Sequence, residues 1–255
     1  LGKVWPIQIF FILVAFYYLI NFYLSNKITI YFAMHIWRFL MVFVLLSSSL
    51  SAQADPRIYE IIQSVSQERI GNDITTLAGF GTRHTLSDTV SQTRGIGAAR
   101  RWIKAEFEKI SEACGGCLEV FYQRNLVKAE ENQRIPRDVW VVNVIAIQRG
   151  SKHPGRYVMM SGDIDSRVSD PNNSTSDAPG ANDNASGMAG TLEAARVLSG
   201  YTFDNSIVYA GLSGEEQGLF GGRGLVEYAQ EQNWDLIGVL NNDMIGNIRG
   251  VDGVV

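Results

Sequence analysis

The segments YVMMSGDIDSR at 157–167, PGANDNASG at 179–187, SIVYAGLSGEEQG at 206–218 and IGVLNNDMIG at 237–246 decide the fold. Three of them open on an apolar run that reads as a buried strand ending in carboxylates, and the fourth opens a helix of small residues. The order strand, loop, helix, strand, helix, strand implies right-handed crossovers. The core is therefore read as an α/β three-layer sandwich with a mixed, mostly parallel central sheet. Such a sheet brings the ends of its parallel strands to one edge, so Asp163, Asp183, Glu215, Glu216 and Asp243 can converge there. Carboxylates crowded into a dry cleft need cations to neutralise them, which makes this edge a candidate metal site.

Outward from this stretch, LEVFYQRNLV at 118–127 and VWVVNVIAIQRG at 139–150 alternate as strands and predict a hairpin at one side of the sheet. Ala99, Ile103 and Phe107, four apart, predict a helix over 96–110, and Ile58, Ile61, Ile62 and Val65 predict another over 56–70. Between them GFGTRHT at 79–85 reads as a polar turn, with His84 a surface or capping residue rather than a ligand. His153 in SKHPG reads as a turn residue. The segment 166–179, rich in Asp, Asn, Ser and Pro, reads as an irregular surface loop that lacks the Gly and Glu of a calcium loop. A helix over 185–198 places Met188, Leu192 and Ala195 in the core. The run GLFGGRG at 218–224 lacks the Lys-Ser/Thr ending of a phosphate loop and reads as a helix start. Cys114 and Cys117, the only cysteines, read as a local disulfide that Gly115-Gly116 allow to close. A redox C-x-x-C is expected to open a helix, whereas this pair follows one.

A chain of 255 residues, 46% hydrophobic and 19% charged, holds one large core behind an apolar leader. The leader, residues 1–54, carries Lys3, Lys27 and Arg38 and no acid. The rest holds 19 Lys and Arg against 26 Asp and Glu, a net charge of −7 that argues against a nucleic-acid partner. Val4 to Leu24 is uncharged and long enough to span a bilayer. Phe39 to Leu50 is instead framed as a signal peptide over 34–54, with Met34 as a start, His35 and Arg38 before it, and a small-x-small site at Ala52-Gln53-Ala54. Residues 1–33 are then translated upstream sequence, a reading favoured by the opening Leu1, or a membrane anchor; a membrane is a partner only in the second case. The expected product is a secreted or periplasmic catalytic domain over 55–255.

Two zinc-type ions a few ångströms apart need a bridging carboxylate, terminal ligands and a free carboxylate to take a proton from water. Asp183, in a tight turn at a helix start, is placed to bridge. Of the adjacent Glu215 and Glu216 one can bind metal while the other acts as base, and Asp243 can close the set.

The order SGDIDS, PGANDNASG, EEQGLFGG and NNDMIG resembles the signature of the co-catalytic zinc aminopeptidases typified by bacterial leucyl aminopeptidase, relatives of glutamate carboxypeptidase. The match runs from about Asp55 to the end, and the TRHT turn and GIGAARRWI helix also look like that family's N-terminal region. The resemblance implies the phosphorylase/hydrolase-like zinc exopeptidase fold, peptide substrates and two divalent metal ions. By it, Asp183 bridges both ions, Glu216 and Asp243 bind one each, and Glu215 is general base and acid. Asp165 orients the ligand two residues earlier, and the Asp183–Asn184 peptide is cis. The sequence departs from the pattern twice. Asp163 stands where most members have His, and the family's last ligand, a downstream His, has no counterpart before Val255. The departure at Asp163 implies unequal sites, zinc in one and manganese or cobalt tolerated in the other. The rivals are a carboxypeptidase or glutaminyl cyclase of the same clan, or a non-catalytic binding ectodomain.

Overall fold

The computed structural model describes residues 12–20, 37, 55–129 and 133–247. Residues 1–58 and 59–255 form two compact units. In the first, residues 12–20 are helical and exposed. No helix among the described residues is long and apolar enough to cross a membrane. The signal peptide expected over 34–54, Trp37 apart, and much of the run from Val4 to Leu24 lie outside the described residues.

The helix expected over 56–70 is two helices, α1 (Pro56–Gln63) and α2 (Gln67–Gly79). Ser66 interrupts them because its backbone is extended and its Oγ accepts the Arg69 amide at 3.2 Å, a good N-cap for α2. Helix α3 (Gly95–Ala113) buries Ile96, Ala99, Ile103 and Phe107 on the face its spacing predicts. It ends at the disulfide Cys114–Cys117, where Gly115 and Gly116 supply the positive φ that closes the loop.

The strands are β1 (Leu118–Val127), β2 (Val139–Gln148), β3 (His153–Asp163), β4 (Asn205–Leu212) and β5 (Asp235–Asn242), in the order β1-β2-β4-β3-β5. The β1–β2 hairpin and the β2–β4 pair are antiparallel, whereas β3 runs parallel to both β4 and β5. His153 thus opens an exposed end of β3 rather than occupying the turn.

Alternation along the strands divides the core into two. Val144 and Ala146 face α3 and helix α4 (Gly187–Leu198), meeting Phe107, Met188 and Leu192. Ile145 and Ile147 face the opposite way and pack with Met159, Val208 and Leu225 of helix α5 (Phe220–Glu231). Each such buried side chain contributes roughly 1.5–3 kcal/mol, so the sheet carrying the carboxylates is anchored from both faces. Strand β5 differs, with Leu236, Val239 and Leu240 partly exposed along its length.

Candidate metal centre

Because β3, β4 and β5 run parallel, their C-terminal ends share one edge: Gly162 is in register with Gly211 and Asn242, and Asp163 with Leu212. Asp163 ends β3 and Asp165 follows two residues on; Glu215 and Glu216 lie in the turn after β4, and Asp243 lies just past β5. Asp183 comes from a wide helical turn, Ala181–Ser186, that leads into α4, and its peptide bond to Asn184 is cis, as the resemblance implied. Two glycines make the assembly possible. A Cβ at Gly187 would lie 2.1 Å from the Asn242 carbonyl oxygen, and one at Gly180, whose φ is +46°, would lie 2.3 Å from that of Asp183.

The hydrogen bonds tie these loops together. Asn184 Nδ2 donates to Asp163 at 3.2 Å and to the Asn242 carbonyl at 2.8 Å, linking the turn to both β3 and β5. The buried Asp165 accepts from Thr85 Oγ1 at 2.8 Å and from the amides of Glu215 and Glu216 at 3.2 Å each. Asp165 therefore ties the Glu215–Glu216 turn to the segment that carries Thr85. Asp163, which stands where the resemblance expects His, has no N–H to offer Asp165 when ionised. Glu216 is paired with Arg167, and its carbonyl accepts from Arg134 Nη1 at 2.8 Å.

Burial and mutual repulsion set the electrostatics. Burial, then Asp165, Glu215 and Asp243, push the Asp163 carboxyl up to about 7, although the Asn184 hydrogen bond opposes the shift. Burial, then Asp165, Glu216, Asp243 and Asp183, push Glu215 up to about 7 as well. Asp183 is raised by burial and by Asp243 and Asp165, against Arg167 and Arg83. Glu216 is raised by burial despite Arg167.

Among the described residues no three His, Cys, Asp or Glu side chains close into a finished ligand set. Asp163, Asp183 and Asp243 are thus brought to one edge without closing into a set of three ligands. The donor chemistry nonetheless fits a divalent cation: hard oxygen ligands, with Asp163 buried, Glu216 half-buried and Asp183 and Asp243 exposed, and with like charges nearby that make Asp163 and Asp183 costly to ionise.

Several residues were not visible as site residues in the sequence. His84 is fully buried, not at the surface, with Nδ1 accepting the Leu86 amide and Nε2 2.9 Å from the Pro171 carbonyl. Its capping role is real, but the turn it caps is inside the protein. Arg83, Thr85, Ser166 and Asn184 are likewise buried around the carboxylates. The one signal in the sequence was the density of polar residues in GTRHTLS, too long a run for a simple turn.

The family model for peptidase family M28 matches residues 143–252, which hold all six carboxylates. That segment of the chain is thus similar to the peptidases of family M28. It is 39% identical over 199 residues to a "Probable zinc metalloprotease" of Pyrenophora teres f. teres, a match covering 78% of this chain and 43% of that one. The chain thus spans a little under half the length of the curated relatives it matches. The Legionella pneumophila LapA aminopeptidase shares the fold at a TM-score of 0.57 with 20% identity, over 74% of this chain and 45% of that one. A glutaminyl cyclase from Fimbriiglobus ruber shares it at 0.54 with 18% identity, over 69% and 61%. The mixed sheet flanked by helices is the architecture of these M28-type neighbours.

Proposed function

We propose that this M28 domain belongs to an exported di-metal aminopeptidase that removes N-terminal residues from peptides. The observation that carries the reading is the gathering of six acids at the C-terminal edge of three parallel strands, two of them raised to about 7. Asp163, Asp183, Glu216 and Asp243 would hold the metal ions, zinc in at least one position. A bound divalent ion supplies Lewis-acid polarisation of the scissile carbonyl and acidifies water.

The chain's own residues do the rest. Glu215 accepts a proton from the attacking water on a carboxylate oxygen and delivers it to the leaving amine, a role suited to an acid poised near neutrality. Asp165 fixes the direction of that carboxylate by accepting the Glu215 and Glu216 amides. Asn184 holds Asp163 and the end of β5 at one distance. Export is supported by the signal-like segment at 34–54 and by the disulfide, which suits an oxidising compartment.

The test is Glu215→Gln in the full chain, assayed on aminoacyl amides with metal content measured in parallel. Turnover is expected to fall by on the order of a hundredfold or more while metal content holds. Near-normal turnover would remove Glu215 from the mechanism. Glutaminyl cyclisation is the second reading, since a cyclase shares the fold. A peptide with N-terminal glutamine separates the two: release of free glutamine indicates hydrolysis, and loss of ammonia indicates cyclisation.

A further inference from the structure

Arg83 lies outside the segment matched by the family model, yet it is 1% exposed and surrounded by the site's loops. Its guanidinium bonds backbone carbonyls rather than a carboxylate. Nε donates to Ile164 O at 2.8 Å, Nη1 to Pro179 O at 2.7 Å and to Leu77 O at 2.9 Å, and Nη2 to Gly180 O at 3.0 Å. Ile164 separates Asp163 from Asp165, and Pro179-Gly180 lead directly into the turn that presents Asp183. One rigid fork therefore sets the spacing between the Asp163–Asp165 loop and the turn that carries Asp183.

The backbone of Arg83 adds a second tie between the same loops. Its amide donates to Ser166 Oγ at 3.1 Å, and that hydroxyl donates to Ala178 O at 2.7 Å. Ala178 in turn bridges Thr82 and donates its amide to Gly81 O at 2.8 Å. Two residues on, Thr85 holds Asp165, which holds the Glu215–Glu216 turn. The fit at the fork is close, since a Cβ on Gly180 would come within 3.1 Å of Arg83 Nη2.

A buried cation that reaches four carbonyls in a plane is specific to arginine. The ammonium of lysine is a compact point charge and cannot present donors along those separated directions. Burying the guanidinium without a paired carboxylate is costly, and burial lowers Arg83 to about 10 even with Asp165 and Asp183 opposing the shift. A position that tolerates such a cost only for packing would be better filled by an apolar side chain.

We propose that Arg83 is the positioning residue of the metal centre, fixing the separation of the Asp163–Asp165 loop from the Asp183 turn so that their carboxylates can share one metal pair. The proposal rests on the metal reading of the site. It makes the TRHTLS turn part of the centre's support and not merely a link between α2 and α3.

The test is zinc affinity, measured on the purified full chain by competition with a chromophoric chelator, for wild type, Arg83→Lys, Ser166→Ala and a control, Arg196→Lys. Arg196 is a partly buried arginine whose guanidinium instead bonds the carboxylates of Asp73 and Glu106, away from the site loops. Arg83→Lys is expected to weaken zinc binding by about 10–100-fold, with a smaller loss for Ser166→Ala. Arg196→Lys is expected to lower the melting temperature while the folded protein keeps its zinc affinity within about twofold. A purely structural Arg83 would behave like the control. Folded Arg83→Lys with wild-type zinc affinity overturns the proposal. Should Arg83→Lys fail to fold, Ser166→Ala decides: weakened zinc binding supports the proposal and unchanged binding overturns it. Failure of the wild-type chain to bind zinc is a separate result, which removes the metal reading and this proposal with it.

Discussion

Two groups of acids meet helix α4, one along its body and one at its N-terminal end, and they are balanced in opposite ways. Along the body, Asp73 and Glu106 pair with Arg196, and Glu193 pairs with Arg69. Burial pushes Glu193 up, but bonds from Arg69 and the Ser66 amide more than offset this and hold it below the usual carboxylate range, whereas burial leaves Asp73 raised despite Arg196. At the N-terminal end, Asp163, Asp165, Asp183, Glu215, Glu216 and Asp243 stand against Arg167 on Glu216 and an Arg83 committed to carbonyls. There Asp163 and Glu215 are driven up to about 7. The fold neutralises the first group itself and leaves the second with surplus negative charge. Burial is the largest cause at Asp163 and Glu215, and the surplus of unpaired acids adds to it, which distinguishes this end of the helix from the paired network along its body.

The largest expected effect breaks the compensated group. Arg196→Met strands Asp73, while Glu106 keeps Lys109 and Glu193 keeps Arg69, and should cost about 3–5 kcal/mol in denaturant unfolding while zinc affinity holds. A loss below about 1 kcal/mol would mean that the network is not self-compensating.

The next effect is pH dependence of the metal-free chain. A carboxyl raised in the folded state binds its proton more tightly there than in the unfolded chain. The stability it allows is therefore fully present below the unfolded value, near 4, and declines as pH rises through the folded value of about 7. Melting temperature without metal should fall between pH 5 and pH 8, by roughly a few degrees or more, and excess zinc should flatten the profile. A metal-free profile flat across that window would contradict the repulsion assigned to Asp163 and Glu215.

Smaller still is Asp163→Asn, which removes one repelling charge and keeps an oxygen to accept from Asn184. It should stabilise the metal-free chain at pH 8 by on the order of 1 kcal/mol and weaken zinc binding at once. Opposite signs in the two assays are the mark of a functional acid; destabilisation in both would assign Asp163 a structural role. Last, Asp163→His should shift metal preference from manganese toward zinc without changing the fold, read by metal analysis after mixed loading.

The sequence made some of this plain because local patterns carried it. The acids at the ends of YVMM, SIVYAGL and IGVLN could be placed because period and length define strands, and parallel strands share an edge. The hairpin, α3, the core role of Met188 and the disulfide followed from equally local signals. Helix α2 was missed because QERIGNDITTLAG buries only Asp73 and Leu77 and so shows a weak apolar stripe. The burial of His84 and the reach of Arg83 were illegible for a different reason. Their partners, Pro171, Ile164 and Gly180, lie more than eighty residues away, and bonds to backbone carbonyls leave no side-chain pattern behind. The bonds from Asp165 to the Glu215 and Glu216 amides were illegible for the same reason, since backbone donors fifty residues away leave no side-chain pattern.

The central claim is that the six acids form an incomplete charge balance that a divalent ion completes. Calorimetric titration of zinc into the metal-free chain at pH 6 and pH 8, with Asp183→Asn beside wild type, tests it most directly. Wild type should bind zinc more tightly at pH 8, release protons on binding at pH 6, and lose most of its affinity on substitution of Asp183. Binding that is absent, independent of pH and unaffected by Asp183→Asn would contradict it.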